Sequence, residues 1–321
     1  MKDLTPISSD PNFFQSLIMT NRVIRSKKSN ISVSIVIPSF NSEKDITRCL
    51  DSLCRHTDRS STEIIVVDSS KDMTAEIISK KFPHIKLFRQ KKRTMPGEAR
   101  NIGVSHASGE VIAFTDSDCE VDGNWPDNGI TKLEEGFQII GGPVQNGGSG
   151  KFINKADHLL SFRDYLPGGS EREVNFIPSC NLIIRKIDFN RIGGFNENFL
   201  SGEDVLFCNE AIKRNMKLLS YPDLRILHHN RTKFKDYLTH QYNLGKYLSM
   251  ARKYIGTHNT LFHKIKPLVI FIPFIKLIRT YLKILIKHPG KLPELLLLSP
   301  LIIPGIMTWS MGYAGPILNN K

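Results

Sequence analysis

From residue 32 the chain alternates continuous apolar runs with amphipathic ones. SVSIVIPSF (32–40), EIIVVD (63–68), IKLFRQ (85–90) and EVIAFTD (110–116) read as strands, apolar along their length rather than at every second position. Between them, SEKDITRCLDSLCRHT (42–57) places Ile46, Leu50 and Leu53 at helical spacing, with Ser42 as the expected N-cap. DMTAEIISKKF (72–82) and PGEARNIGVSHA (96–107) are the next two predicted helices. Strand and helix thus alternate for about 85 residues, which predicts an α/β fold with a parallel sheet covered on both faces. Ligands of such sheets sit beyond the carboxyl ends of the strands. Those ends carry Pro38, Ser39, Phe40 and Asn41, then Asp68, then Asp116 and Asp118.

The pattern loosens after residue 140. GGPVQNGGSG (141–150) reads as a flexible surface loop. NFIPSCNLIIRK (175–186) reads as a further strand, and the chain enters a helix near Glu203. Residues 1–30 have weak periodicity and end in a basic patch, an N-terminal extension. We expect residues 31–240 to form the catalytic domain, with a nucleotide-binding half to 122 and an acceptor half beyond, and residues 241–321 to form membrane-associated helices.

The C-terminal expectation rests on two stretches. In PLVIFIPFIKLIRTYLKILIKHPGK, residues Lys276, Arg279, Lys283 and Lys287 fall within about 80° of one another on a helix. The other side carries Ile275, Leu277, Ile278, Tyr281, Leu282, Leu285 and Ile286. Such a helix is expected to lie on an anionic membrane surface. Residues 295–320 carry no charge and are long enough to span a bilayer, with Pro300 and Pro304 expected to break the helix. The lysines before it would keep that side cytoplasmic, at the inner face of the cell membrane.

Composition narrows the function classes. Lys and Arg outnumber Asp and Glu by 44 to 31, a net +13 that favours anionic partners. Much of the excess lies in the extension and the membrane-proximal helix, and no aromatic-basic recognition motif is present, so nucleic acid is not the expected partner. The five cysteines have no CxxC spacing and an odd count, which suits free thiols rather than a disulfide framework. The N-terminus lacks the charged-then-apolar pattern of a signal peptide.

Against that charge, AFTDSDCEVD (113–122) collects acids. Asp116 and Asp118 point to the same side of an extended segment, where two carboxylates repel unless a cation lies between them. Hard divalent ions take such oxygens and share substrate phosphates. Glu203 and Asp204 open a helix, either as dipole-favoured acids or with a carboxylate acting as general base. Arg100 lies in the first turn of a helix, a good anion site. His228 and His229 follow an apolar run; a neutral imidazole there can complete a metal shell. The basic run Arg231, Lys233 and Lys235 is either a solvated face or a counter to a diphosphate.

SIVIPSFN, EIIVVDSSKDMT, ARNIGVSHASGEVIAFTDSDCEV and GEDVLFC, in that order, resemble the family 2 glycosyltransferases with the GT-A fold, over residues 32–235. The resemblance implies a nucleotide-diphospho-sugar donor, a divalent cation (Mn or Mg) and a saccharide or lipid-linked saccharide acceptor. It implies that Pro38, Phe40 and Asn41 line the nucleotide pocket, that Asp68 meets the base and that Arg100 lies near base or phosphate. Asp116 and Asp118 would bind ribose and metal, Glu203 would join the donor site, Asp204 would be the catalytic base, and His228 or His229 would approach the metal or diphosphate. Two departures stand out: DSSK (68–71) replaces the DDGS-like turn of many members, and their Q-x-x-R-W-like motif is missing, which favours transfer of a single sugar. The expected reaction is direct displacement with inversion, on a polysaccharide or lipid-linked precursor. Rival readings are a nucleotidyltransferase, which lacks its Gly-rich basic loop here, and a non-catalytic membrane scaffold with a degenerate site.

Overall fold

β1 (Val33–Ser39), β2 (Thr62–Asp68), β3 (Lys86–Arg89) and β4 (Val111–Thr115) lie parallel, in the order β3-β2-β1-β4. This is a computed structural model, and it describes residues 32–148, 150–256, 262 and 264–319. The extension expected over residues 1–30 lies outside the described residues. Ile31–Lys321 forms one compact unit. Val33, Ile35, Val36 and Ile37 are all buried, which is why these runs are not alternating: helices cover both faces. Each such side chain contributes about 1.5–3 kcal/mol on burial.

The covering helices are α1 (Ile46–His56), α2 (Thr74–Lys81) and α3 (Pro96–Ser105). Ser42 is not the cap of α1. The helix starts four residues later, after a turn closed by the Ser42 carbonyl, and the Ser42 hydroxyl meets that of Ser117 at 2.7 Å.

The sheet is mostly parallel rather than wholly so. β9 (Asn181–Arg185) runs antiparallel between β4 and β6 (Ile139–Gly141); β10 (Leu218–Ser220) pairs parallel with β6, and β8 (Arg172–Val174) closes that edge. A small second sheet sets β11 (Ile226–His228) between β5 (Cys119–Val121) and β7 (Val144–Asn146), with His228 opposite Cys119. The glycine run at 141–150 is therefore not a flexible loop at its start. Gly141 and Gly142 are buried, and a Cβ at Gly142 would strike the Leu224 carbonyl.

The remaining helices are α4 (Asp127–Glu134), α5 (Phe152–Phe162), α6 (Lys186–Ile192), α7 (Glu203–Lys213), α8 (Phe234–Tyr254), α9 (Ile272–Lys287), α10 (Leu292–Leu297) and α11 (Ser299–Leu318). Helix α8 runs through residue 240 without a break, so it joins the catalytic region to the C-terminal helices. Helix α11 is continuous: Pro300 falls in its first turn, where no N–H is needed, and Pro304 does not break it. It packs backbone-close on α8; a Cβ at Gly245 would strike the Trp309 carbonyl, and one at Gly312 that of Tyr242. Among the described residues α11 alone is long and apolar enough to cross a membrane, and part of it is buried in the protein.

Helix α9 has three faces rather than two. Thr280 and Ile284 are buried, with Leu277 and Tyr281 packed on the α5–α11 cluster. Phe274, Ile278, Leu285 and Ile286 are exposed. The basic face divides: Arg279 and Lys287 are exposed, while Lys276 and Lys283 find partners within the protein. Lys283 pairs with Asp164, Lys276 lies 3.5 Å over the Trp309 ring, and both line an open cavity with Arg279. The reason is local: Asp164 and the α11 aromatics offer the cations partners on the inner side.

Candidate active site

That cavity, about 1290 Å³, opens at the carboxyl ends of β1 and β4, where Pro38, Phe40, Asp116 and Asp118 line it. Phe40 is half-exposed, and the Arg93 guanidinium stacks 4.2 Å from its ring centroid. Asp68 is buried at the end of β2. One of its oxygens accepts from Ser70 Oγ at 2.5 Å, and the other is buried without a partner, as a group awaiting a donor would be. Asn41, at φ 53°, does not line the cavity; its Oδ1 accepts the Lys71 N–H at 3.1 Å and ties the β1 turn to the DSSK turn.

Arg100 is spent inside the protein. Its Nη1 donates to Glu203 at 2.7 Å and its Nη2 to Asp116 at 2.6 Å, with the side chain 2% exposed. Burial opposes its charge, but the two carboxylates more than offset this and hold its pKa above the usual arginine range. Glu203 and Arg100 border the cavity as one braced pair. The pair fixes the start of α7, and with it the neighbouring Asp204.

Asp204 is half-buried on the same cavity. Its carboxylate accepts backbone N–H groups of Val205 at 2.8 Å and Ser179 at 3.4 Å. Burial, then the adjacent Glu203 charge, pushes its pKa up to about 7, against a smaller pull from Arg100. A carboxylate titrating there can take a proton near neutral pH.

His228 and Asp118 are brought together: Nε2 lies 3.5 Å from Oδ1, too long for a strong hydrogen bond. His228 is buried and its Nδ1 has no partner. Ligand atoms of Asp118, Cys119 and His228 fall within 4.8 Å of one another. Burial holds the Cys119 thiol well above its ordinary pKa, hence protonated, which leaves a carboxylate and an imidazole as the donor set. These fit a divalent cation. His229 is not part of this group; its Nε2 is 2.5 Å from Glu120 Oε1.

Asp157 and His240 were missed by sequence reasoning. Asp157, fully buried in α5, holds His240 Nδ1 at 3.0 Å, Gln241 Nε2 at 2.9 Å and Arg231 at 3.8 Å. Burial opposes its charge, but His240 and Arg231 hold its carboxyl well below the usual range. It thereby aims Arg231, which lines the cavity with His228. The signal was an acid set among the apolar residues of FINKADHLLSF (152–162).

Residues 34–193 match the family described as "Glycosyl transferase family 2". This chain belongs to that family. The glycosyltransferase is 29% identical over 224 residues to "Glycosyltransferase AglE" of Haloferax volcanii, covering 67% of this chain and 72% of that one. It is 26% identical over 248 residues to a Methanococcus voltae enzyme named "Dolichyl N-acetyl-alpha-D-glucosaminyl phosphate 3-beta-D-2,3-diacetamido-2,3-dideoxy-beta-D-glucuronosyltransferase", covering 70% and 75%. Its fold is similar to that of the Pyrobaculum calidifontis mannosyltransferase PcManGT, solved with GDP-Man and Mn2+, at TM-score 0.62 and 16% identity over 96% of each chain. The fold is GT-A.

Proposed function

We infer that this glycosyltransferase moves one sugar from a nucleotide-diphospho-sugar to a hydroxyl of a lipid-linked saccharide, with inversion. The observation that carries the reading is Asp204: a carboxylate pushed up to about 7 on a cavity shared with Asp116, Asp118 and His228. The donor's base lies towards Asp68 and Phe40, where an orphaned carboxylate oxygen can accept a base N–H. Asp204 takes the acceptor's proton as its oxygen attacks the anomeric carbon. The bond to the diphosphate breaks, and Arg231 helps to hold the departing anion. One base on the attacking side suits inversion; retention needs a second nucleophile, for which the cavity offers no evident group.

Asp118 and His228 would hold a divalent cation, which when bound neutralises charge on the diphosphate. The manganese complex of the mannosyltransferase is in keeping with this. The lipid-linked acceptor draws on the dolichyl-phosphate-linked substrate in the name of the Methanococcus relative. The exposed apolar face of α9 and the apolar α11 fit attachment to the cytoplasmic face of a membrane.

The test is nucleotide release from a panel of UDP-, GDP-, dTDP- and CMP-sugars by detergent-extracted protein, with Mn2+, Mg2+ or EDTA, beside Asp118→Ala. Metal-dependent release from one donor, lost in the variant, is expected. Equal release with EDTA and in the variant would refute the cation site.

A further inference from the structure

The cavity is larger than a single small-molecule site needs, pockets of that kind being roughly 300–1,000 Å³. Away from β1 and β4 it is walled by α5, α8, α9 and α11, and this part is cationic. Arg163 comes from the end of α5, Arg252 from α8, and Lys276, Arg279 and Lys283 from α9. Helix α11 supplies an aromatic floor. Trp309 and Tyr313 stack at 5.0 Å; Lys276 lies 3.5 Å over Trp309, and Arg252 donates to Tyr313 Oη at 3.2 Å.

Five cations converge and one carboxylate, Asp164, answers them, taking Lys283 and, at 4.0 Å, Arg163. Among the described residues Arg252, Lys276 and Arg279 meet no carboxylate within ion-pair distance. Burial first, then repulsion from Arg163 and Arg252, pushes the Lys276 ammonium well below the usual lysine range. The Trp309 and Tyr313 rings hold Lys276 and Arg252 in place without neutralising them. Lys276 and Arg252 are partly buried and so incompletely solvated, while Arg279 stands exposed at the cavity's edge.

We propose that Arg163, Arg252, Lys276 and Arg279 form a subsite for a phosphate or diphosphate carried by the acceptor. This deepens the lipid-linked reading above and rests on it: the donor occupies the Asp118 end, the acceptor's anionic group the α9 end, and the hydroxyl between them meets Asp204. Ile275, Leu282 and Ile286 line the same wall and lead outward to the exposed face of α9. A lipid chain attached to the phosphate leaves along that ridge. The phosphate of a soluble anionic saccharide would use the same cations without the ridge.

The experiment uses full-length protein in neutral detergent, first saturated with Mn2+ and whichever of UDP or GDP binds, so that the donor end is filled. Farnesyl phosphate, inorganic phosphate and farnesol are then titrated, read by Trp309 fluorescence and by calorimetry. Farnesyl phosphate is expected to bind, with affinity falling at least tenfold in Arg279→Gln and in Lys276→Gln, while nucleotide binding is unchanged. Farnesyl phosphate binding much tighter than inorganic phosphate assigns a lipid-borne group; equal binding assigns the charge alone and a soluble acceptor. No binding of either phosphate, or binding that both variants leave unchanged, overturns the subsite, and so does equal binding of farnesol. If neither UDP nor GDP binds, dTDP or CMP is tried in their place; if no nucleotide binds, the donor reading fails separately, and loss of phosphate binding in the two variants still decides the subsite.

Discussion

Arg100 Nη1 and Glu203 Oε1 meet at 2.7 Å, buried and 103 residues apart in the chain. This contact braces the helix that carries the proposed base against the strand end that carries Asp116.

Arg100→Leu leaves Glu203 facing a buried void with no counter-charge. A loss of about 3–5 kcal/mol is expected, the usual cost of breaking a buried pair from one side. Chemical denaturation measures it. Glu203→Gln keeps the shape and removes one charge that raises the Asp204 pKa. Its activity should hold to lower pH than that of the parent enzyme, because the base stays ionised further into acid.

Asp204→Asn should lower kcat by a factor of about 10²–10⁴ and leave donor binding unchanged, since general-base assistance is worth that much. In the parent enzyme activity should rise with pH through about 7, where Asp204 loses its proton. Stability should run the other way. Its folded pKa is raised above the unfolded aspartate value, so native protein binds the extra proton from about pH 4 to 7 and loses stability as pH climbs through that window. Asp204→Asn should therefore melt above the parent at pH 8, with the gap closing towards pH 5. A variant that melts below the parent at pH 8 contradicts this.

Asp157→Asn removes the charge that holds His240 and Arg231. A loss of roughly 3 kcal/mol is expected at pH 7, together with a raised KM for the donor if Arg231 holds its diphosphate as proposed. Because the folded pKa of Asp157 is depressed, its stabilisation is present above about pH 4 and fades as pH falls below that. The difference between the two proteins should therefore shrink in acid, which thermal melts at pH 3 and pH 7 resolve.

Phe274→Glu with Ile278→Glu places charge on the exposed apolar face of α9, away from the cavity. Flotation with lipid vesicles should fall at least several-fold while nucleotide binding stays unchanged. Unaltered flotation would move the membrane contact elsewhere.

Much of the catalytic fold was legible in the chain. Continuous apolar runs mark strands buried on both faces, so β1, β2 and β4 stand where periodicity placed them. The rule that ligands sit beyond strand ends points to Pro38, Phe40, Asp68, Asp116 and Asp118, and all of these but Asp68 line the cavity. These are local properties, set by each segment's own apolar content and turn residues.

The rest depended on pairing across the chain, which local pattern does not carry. His228 ends β11 and His229 follows it; only the pairing of β11 with β5 turns His228 towards Asp118, while His229 meets Glu120. Arg100 reads as an exposed anion site until its carboxylate partners, one 103 residues away, arrive to claim it. The basic stripe of α9 reads as a membrane face because a helix shows two faces in sequence and chooses among several in space. Asp164 and Trp309 draw Lys283 and Lys276 inward, while Arg279 and Lys287 stay exposed. Local pattern marks which residues can do chemistry and roughly where along the sheet they stand. Which of them meet is set by folding, because charge neutralisation and burial depend on partners far apart in the chain.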